Sequence, residues 1–242
     1  MPTIDPDERP VRAVTFDFGQ TLADLDTTML ARRLGERSFE ASGATLESAI
    51  VGAWRAYNEA ILAGLGGHPW KLFMDTLLAG AGLPGSARPE LCEWLWSEQP
   101  TRNLWRRPVP GMVELLDELG LARIPIAVIS NSEGKLQELV TELGWADRFV
   151  AIADSGRLGF EKPGRKIFTW TAERLGVPPG AIVHIGDSHA ADVEGALGAG
   201  MRAIWFRGER ARPLPDGAAV CDDAAEVRAA LQSWGLRGPT GQ

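Results

Sequence analysis

The stretch Val11-Arg-Ala-Val-Thr-Phe-Asp-Phe-Gly-Gln-Thr-Leu22 constrains this chain more than any other. It starts as an apolar, β-branched run, Val11 to Phe16, with the length and composition of a buried parallel strand. It stops at Asp17, where Gly19 follows and Thr21 can cap what comes next. A carboxylate at the end of a buried strand is costly to desolvate unless something pairs with it. In open α/β sheets that same end is where ligands bind. Alone, Asp17 reads as a turn or capping residue. The ends of the later strands change that weighting.

After Thr21 the strand pattern gives way to apolar residues at helical spacing. Helices are expected over Leu25–Ala41, Leu46–Leu65, Trp70–Ala81 and Leu91–Trp96, with breaks at Gly66-Gly67-His68-Pro69 and Leu83-Pro84-Gly85. No strand is expected between Asp24 and Arg107. Beyond Pro108 the chain alternates. A helix over Met112–Leu119 leads to a strand over Ile124–Ser130, and a helix over Gly134–Leu143 to a short strand over Phe149–Ala153. A helix over Lys166–Leu175 leads to a strand over Ala181–Ile185. A helix over Ala190–Ala199 follows, then a strand over Arg202–Phe206. A last short strand near Val220 precedes a helix over Ala224–Trp234 and a frayed tail from Gly235. Strands and helices alternating in this way make βαβ units. The expected fold is α/β: a Rossmann-like, three-layer parallel-sheet core from residues 1–23 and 108–242, with a helical domain inserted over 24–107.

A length of 242 residues allows one large core, or a core and a smaller lobe. The net charge of -7 argues against a partner held by its phosphate backbone, so no nucleic acid is expected. An acidic protein that handles an anionic substrate needs a local cation, which makes a divalent metal plausible. Cys92 and Cys221 are too few for a disulfide framework and lack metal-ligand spacing. No apolar leader is visible in Met1–Pro10 and no run approaches the ~18 residues of a membrane span, so a cytoplasmic setting without membrane is expected. The sequence leaves the oligomeric state open.

Each expected sheet strand ends on a polar group. The first ends at Asp17, the second at Ser130-Asn131-Ser132, and a later one at Gly186-Asp187-Ser188, with Asp192 one helical turn on. Lys162-Pro163 sits in a loop just before a helix. If the strands are parallel, these groups converge on one crevice. Carboxylates with a backbone carbonyl suit Mg²⁺, which prefers hard oxygens and keeps water. A strand-end serine with neighbouring amides can hold phosphate oxygens, Lys162 supplies a point charge for them, and an aspartate can itself attack phosphorus.

In these motifs the chain resembles the haloacid dehalogenase superfamily of hydrolases. The family's first motif, Asp-x-Asp-Gly-Thr-Leu after an apolar strand, corresponds to Asp17-Phe-Gly-Gln-Thr-Leu22. Its second, a strand ending in Ser or Thr, corresponds to Ser130-Asn131; its third, Lys-Pro before a helix, to Lys162-Pro163. Its fourth, Gly-Asp-Ser followed by another Asp, corresponds to Gly186-Asp187-Ser188 and Asp192. The insertion has the position of the family's first type of cap domain. The resemblance implies a Mg²⁺-dependent phosphatase for a small phosphorylated metabolite, working through an aspartyl-phosphate. It implies Asp17, Ser130 and Lys162 as catalytic residues and Gln20, Thr21 and Asn131 as substrate contacts. Asp17, the Gly19 carbonyl, Asp187 and Asp192 are the implied metal ligands.

One position departs from the pattern. The family's phosphatases carry a second Asp in motif one that protonates the leaving oxygen; here that position is Gly19, and the Gly after it is Gln20. General acid–base help, worth roughly 10²–10⁴-fold, is then missing from its usual place. Three alternatives follow: a weak or non-catalytic phospholigand-binding protein, a 2-haloacid dehalogenase, or a phosphonate hydrolase. Dehalogenases of this superfamily carry Tyr at the position and need no metal, which would leave Asp187 and Asp192 unexplained. A phosphonate hydrolase carries Ala there and uses a cap lysine, for which Lys71, against its reading as a surface lysine, is the candidate. His184 reads as a satisfied buried residue inside a strand and His189 as a bystander. The tryptophans of the insertion read as packing.

Overall fold

The computed structural model describes residues 10–63 and 69–237. The expected break at 66–68, residues 1–9, where no leader is expected, and the tail beyond 237 lie outside the described residues. The chain divides into two compact units: one runs to Asp24 and resumes at Arg107, and the other is Leu25–Arg106.

The first unit is built on a six-stranded parallel sheet. Its strands are β1 (Ala13–Phe16), β4 (Ile126–Ser130), β5 (Ala151–Asp154), β6 (Ile182–Gly186), β7 (Arg202–Phe206) and β8 (Ala218–Cys221). The order across the sheet is β5-β4-β1-β6-β7-β8, all neighbours parallel. Chain order therefore reverses direction at β1, between β4 on one side and β6 on the other. That is the doubly wound, Rossmann-like arrangement, whose crevice lies at the carboxyl ends of the strands beside the reversal.

β1, β4 and β6 are buried along their whole length, as expected of strands covered on both faces. Their alternate residues serve opposite layers. Ala13, Ala127 and Ile129 pack with Ile167, Phe168, Val193 and Ala196. The helices of this unit are α5 (Met112–Leu121), α6 (Leu136–Glu142), α7 (Ser155–Leu158), α8 (Arg165–Leu175), α9 (Gly195–Gly198) and α10 (Ala224–Ser233). α8 packs on β4 and β5, whereas α10 packs on β8 and α5. Directly before α9 the chain makes a π-helical turn over His189–Glu194. The expected single helix from Ala190 is thus two pieces.

The second unit contains α1 (Thr27–Glu36), α2 (Gly43–Leu62), α3 (Trp70–Gly80) and α4 (Arg88–Glu98). Two short strands, β2 (Ala23–Leu25) and β3 (Trp105–Pro108), pair where the chain divides. They correct the expectation of no strand between Asp24 and Arg107; three or four residues carry too little alternation to read as strands. α1 begins later than expected because the Asp26 carboxylate caps it, accepting from the Met29 amide at 2.8 Å. It ends earlier because Ser38 takes a left-handed conformation, with φ 62°. Gly43 opens α2 rather than closing α1. The expected packing role of the tryptophans agrees with an aromatic cluster in which Trp70 lies 5.2 Å from Trp96 and Trp54 lies 4.2 Å from Phe73. Lys71 is paired with Glu93 at 2.6 Å on the surface of this unit. Among the described residues no helix is long and apolar enough to cross a membrane.

Candidate active site

Asp17 follows β1 directly, its amide donating to the Ile185 carbonyl on β6 at 2.7 Å. Ser130 is the last residue of β4, and Asp187 follows Gly186, the last of β6. Because β1 pairs in register with both strands, these three residues stand at adjoining strand ends on one edge. Lys162 reaches the same edge from the loop between α7 and α8, and only 4% of it is exposed. Its Nζ donates to Asp17 Oδ1 at 2.5 Å and to Asp192 Oδ1 at 2.7 Å.

The electrostatics follow from burial. Desolvation raises the Asp17 carboxyl to about 6, against the opposing Lys162 ammonium. Asp187, half-buried, is pushed well above the usual carboxylate range by burial and by the charges of Asp17 and Asp192. Burial would also raise Asp192, but Lys162 and the hydrogen bond from His184 hold it well below that range. Burial alone would discharge Lys162; Asp17 and Asp192 outweigh it and keep the ammonium protonated. The edge therefore holds one buried cation among three carboxylates, two of which burial raises above the usual range.

Each group is held from behind. Asn131, expected as a substrate contact, is engaged with the Lys162 backbone: its Oδ1 accepts from the Lys162 amide at 2.8 Å and its Nδ2 donates to the Lys162 carbonyl at 2.9 Å. That fixes the base of the lysine. Asp192, expected among metal ligands, has both oxygens committed to protein donors. Oδ1 takes Lys162 and His184, and Oδ2 takes the Ser188 amide at 2.9 Å. It can lie so close because Gly186 has no side chain; a Cβ there would meet Asp192 Cγ at 2.2 Å. Thr21 is fully buried, and its hydroxyl has no partner among the described residues. Gln20 is half-buried on the loop and takes φ 59°, the left-handed conformation that glycine adopts freely.

Three supports were not legible as functional in the sequence. Asp154, ending β5, gathers the loop after Ser130: it accepts from Ser132 Oγ and from the amides of Gly134, Leu136 and Gly156. Trp205 donates from Nε1 to the Asp187 carbonyl at 2.7 Å, and His189 stacks edge-on against that indole. Arg207 forks onto Asp24 at 2.8 and 3.3 Å. Strand-end position was the only available signal for Asp154.

Among the described residues no cluster of three or more His, Cys, Asp or Glu side chains is arranged to hold a metal. The donor chemistry nonetheless fits Mg²⁺. Two carboxylates raised by burial, Asp17 and Asp187, stand at adjoining strand ends, and Mg²⁺ needs only one or two carboxylates with carbonyl and water oxygens. The Gly19 carbonyl lies on the same loop as Asp17.

A family model for haloacid dehalogenase-like hydrolases matches residues 11–200. The chain is 31% identical over 163 residues to a phosphoserine phosphatase of Thermus thermophilus, covering 65% of this chain and 64% of that protein. It is 29% identical over 200 residues to a glyceraldehyde 3-phosphate phosphatase of Methanopyrus kandleri, covering 81% and 84%. The magnesium-bound HAD-hydrolase YfnB of Bacillus subtilis has the same fold, with a TM-score of 0.68 at 19% identity over 92% of this chain and 99% of that one. With four motifs on one sheet edge and a family match across most of its length, this chain belongs to the haloacid dehalogenase-like hydrolases.

Proposed function

We propose that the protein is a Mg²⁺-dependent phosphatase of a small phosphorylated metabolite, using Asp17 as nucleophile. The observation that carries this reading is the buried Lys162 ammonium, bonded to Asp17 and Asp192 at the edge that Ser130 and Asp187 share. A fixed cation beside a nucleophilic carboxylate and a strand-end hydroxyl matches a tetrahedral dianion. Similarity to two phosphatases supports the same class.

In this reading Lys162 and the Ser130 hydroxyl hold the non-bridging oxygens. The Asp17 carboxylate attacks phosphorus; the new oxygen–phosphorus bond forms as the bond to the leaving oxygen breaks. Water then cleaves the aspartyl-phosphate, returning free Asp17 and inorganic phosphate. Asp17, Asp187 and the Gly19 carbonyl are the residues that would hold Mg²⁺, whose contribution is to neutralise charge on the transferred group. Asp192 keeps Lys162 in place. With glycine at position 19, the leaving oxygen receives no proton from that side chain, so substrates with weakly basic leaving groups are favoured.

A panel of phosphomonoesters assayed with Mg²⁺ and with chelator tests the reading. Turnover that depends on Mg²⁺ and disappears in Asp17→Asn is expected; equal turnover in chelator refutes it. Gly19 also favours a second reading, a protein that binds phospholigands without turning them over. Calorimetric binding of inorganic phosphate, with no hydrolysis of any ester in the panel, would select it.

A further inference from the structure

Behind Lys162 lies a chain of buried polar groups that the proposed chemistry does not touch. Thr15 on β1 and His184 on β6 are opposite each other in the sheet register, and neither has any exposed surface. His184 Nδ1 lies 2.9 Å from Thr15 Oγ1, and its Nε2 lies 3.0 Å from Asp192 Oδ1. The Phe168 ring closes over the imidazole edge-on, at 5.3 Å between centroids.

These contacts determine the tautomer. Asp192 Oδ1 accepts from the Lys162 ammonium and Oδ2 from the Ser188 amide, so this carboxylate only accepts and the His184 nitrogen facing it must carry hydrogen. The nearest acceptor for the Thr15 hydroxyl is the other ring nitrogen at 2.9 Å, which is therefore bare, and the full burial of the ring agrees with a neutral imidazole. The competing Thr15 acceptor, the Val183 carbonyl, is farther away at 3.5 Å. The direction of donation is therefore Thr15 to His184 to Asp192.

Asp192 Oδ1 thus receives two donors, and only one of them is charged. An ammonium has three hydrogens; Lys162 commits one to Asp17 and one to Asp192, leaving one for a ligand. A carboxylate that lost its histidine donor would draw Lys162 toward itself and away from Asp17. A second cation in place of the histidine would instead compete with Lys162 for Asp192. A neutral donor avoids both.

We propose that His184, oriented by Thr15, is a positioning residue: its Nε2–H anchors Asp192 so that Lys162 is held between Asp192 and Asp17. The proposal rests on the phosphatase reading for its catalytic consequence, but not for its geometry.

The test is a set of three substitutions. His184→Gln can place an amide N–H near the position of Nε2. His184→Asn keeps an acceptor near Nδ1 but is too short to reach Asp192, and His184→Leu removes both. With 4-nitrophenyl phosphate and Mg²⁺, kcat should fall about 10–100-fold in His184→Asn and His184→Leu, the usual cost of losing an outer support. His184→Gln should stay within about fivefold of the parent, and KM should move less than kcat in all three. The affinity for inorganic phosphate, measured by calorimetry, should follow the same order. Long-range ¹H–¹⁵N spectra of the unaltered protein should show the Nε2–H tautomer from pH 6 to 8.

Equal kcat across the three variants, or losses that follow thermal stability alone, would reduce His184 to packing. An Nδ1–H tautomer would overturn the proposal outright. If His184→Leu does not fold, the Asn and Gln pair and the spectrum still decide. If the unaltered protein hydrolyses no ester, the phosphatase reading fails by itself, and the phosphate affinities and the tautomer decide the positioning role.

Discussion

Replacing Asp154 with asparagine removes one acceptor from the loop that follows Ser130 and begins with Asn131. The carboxylate is 1% exposed and accepts four hydrogen bonds: Oδ1 from Ser132 Oγ at 2.8 Å and from the Gly134 and Gly156 amides at 3.0 Å, Oδ2 from the Leu136 amide at 3.0 Å. An amide keeps one acceptor oxygen. Its better placement, at the Oδ1 position, turns the NH₂ group against the Leu136 N–H, which is left without an acceptor. An unsatisfied buried donor costs about 1–3 kcal/mol, and the three retained bonds lose their charge-assisted component. About 3 kcal/mol of destabilisation is expected, a large share of the ~5–15 kcal/mol that holds a typical domain together. Urea denaturation should show a lower midpoint with an unchanged slope. Native-state amide exchange should accelerate at Gly134, Leu136 and Gly156 before it does elsewhere. The phosphate affinity should also weaken, since the same loop carries the Asn131 clamp on Lys162. A loss below about 1 kcal/mol, with exchange unchanged at those three amides, would refute the view that Asp154 organises the loop.

Gly19→Asp should raise hydrolysis of alkyl phosphates by up to about 10²–10⁴-fold and that of 4-nitrophenyl phosphate far less; equal rates for both substrates in the parent would mean that another group donates the proton. Gln20→Gly relieves the left-handed residue and should leave stability equal or raise it by up to about 1 kcal/mol, read from the denaturation midpoint. Burial raises Asp17 from 3.8 to about 6, so its contribution to stability is fully present below 3.8 and is lost as pH rises through 6. Metal-free protein should therefore lose stability from about pH 4 to 6.5, and thermal stabilisation by Mg²⁺ should grow over the same interval if these carboxylates hold the ion. A Mg²⁺ shift independent of pH would contradict this.

Much of the site was legible because its chemistry sits at strand ends. A buried parallel strand must be apolar throughout, so the first polar residue after it is conspicuous. Asp17, Ser130 and Asp187 stand out in that way, and βαβ alternation alone puts them on one edge, where the sheet register has them at adjoining strand ends. The lysine of Lys162-Pro163 was found by motif order, and its loop position agreed. The partners of these groups left no such mark. The motif offers Asn131 as a substrate contact and Asp192 as a metal ligand, but it records residue type and spacing, not that Asn131 bonds the Lys162 backbone or that Asp192 accepts from Lys162, His184 and Ser188. β2 and β3 were missed because such short strands carry no usable period.

The local sequence determined what depends on neighbours along the chain: the apolar strands, the helices between them and the polar strand ends. Only the tertiary structure decided what depends on residues far apart. His184 lies 169 positions from the Thr15 hydroxyl that sets its tautomer, and Lys162 lies 145 positions from Asp17. Burial then governs their charge. Desolvation is a property of everything packed around a group, so one residue type, aspartate, is raised at position 17 and lowered at 192. In the proposed reading that difference separates a nucleophile from an anchor, and it comes into being only when the sheet, the Lys162 loop and the π-helical turn close on one another.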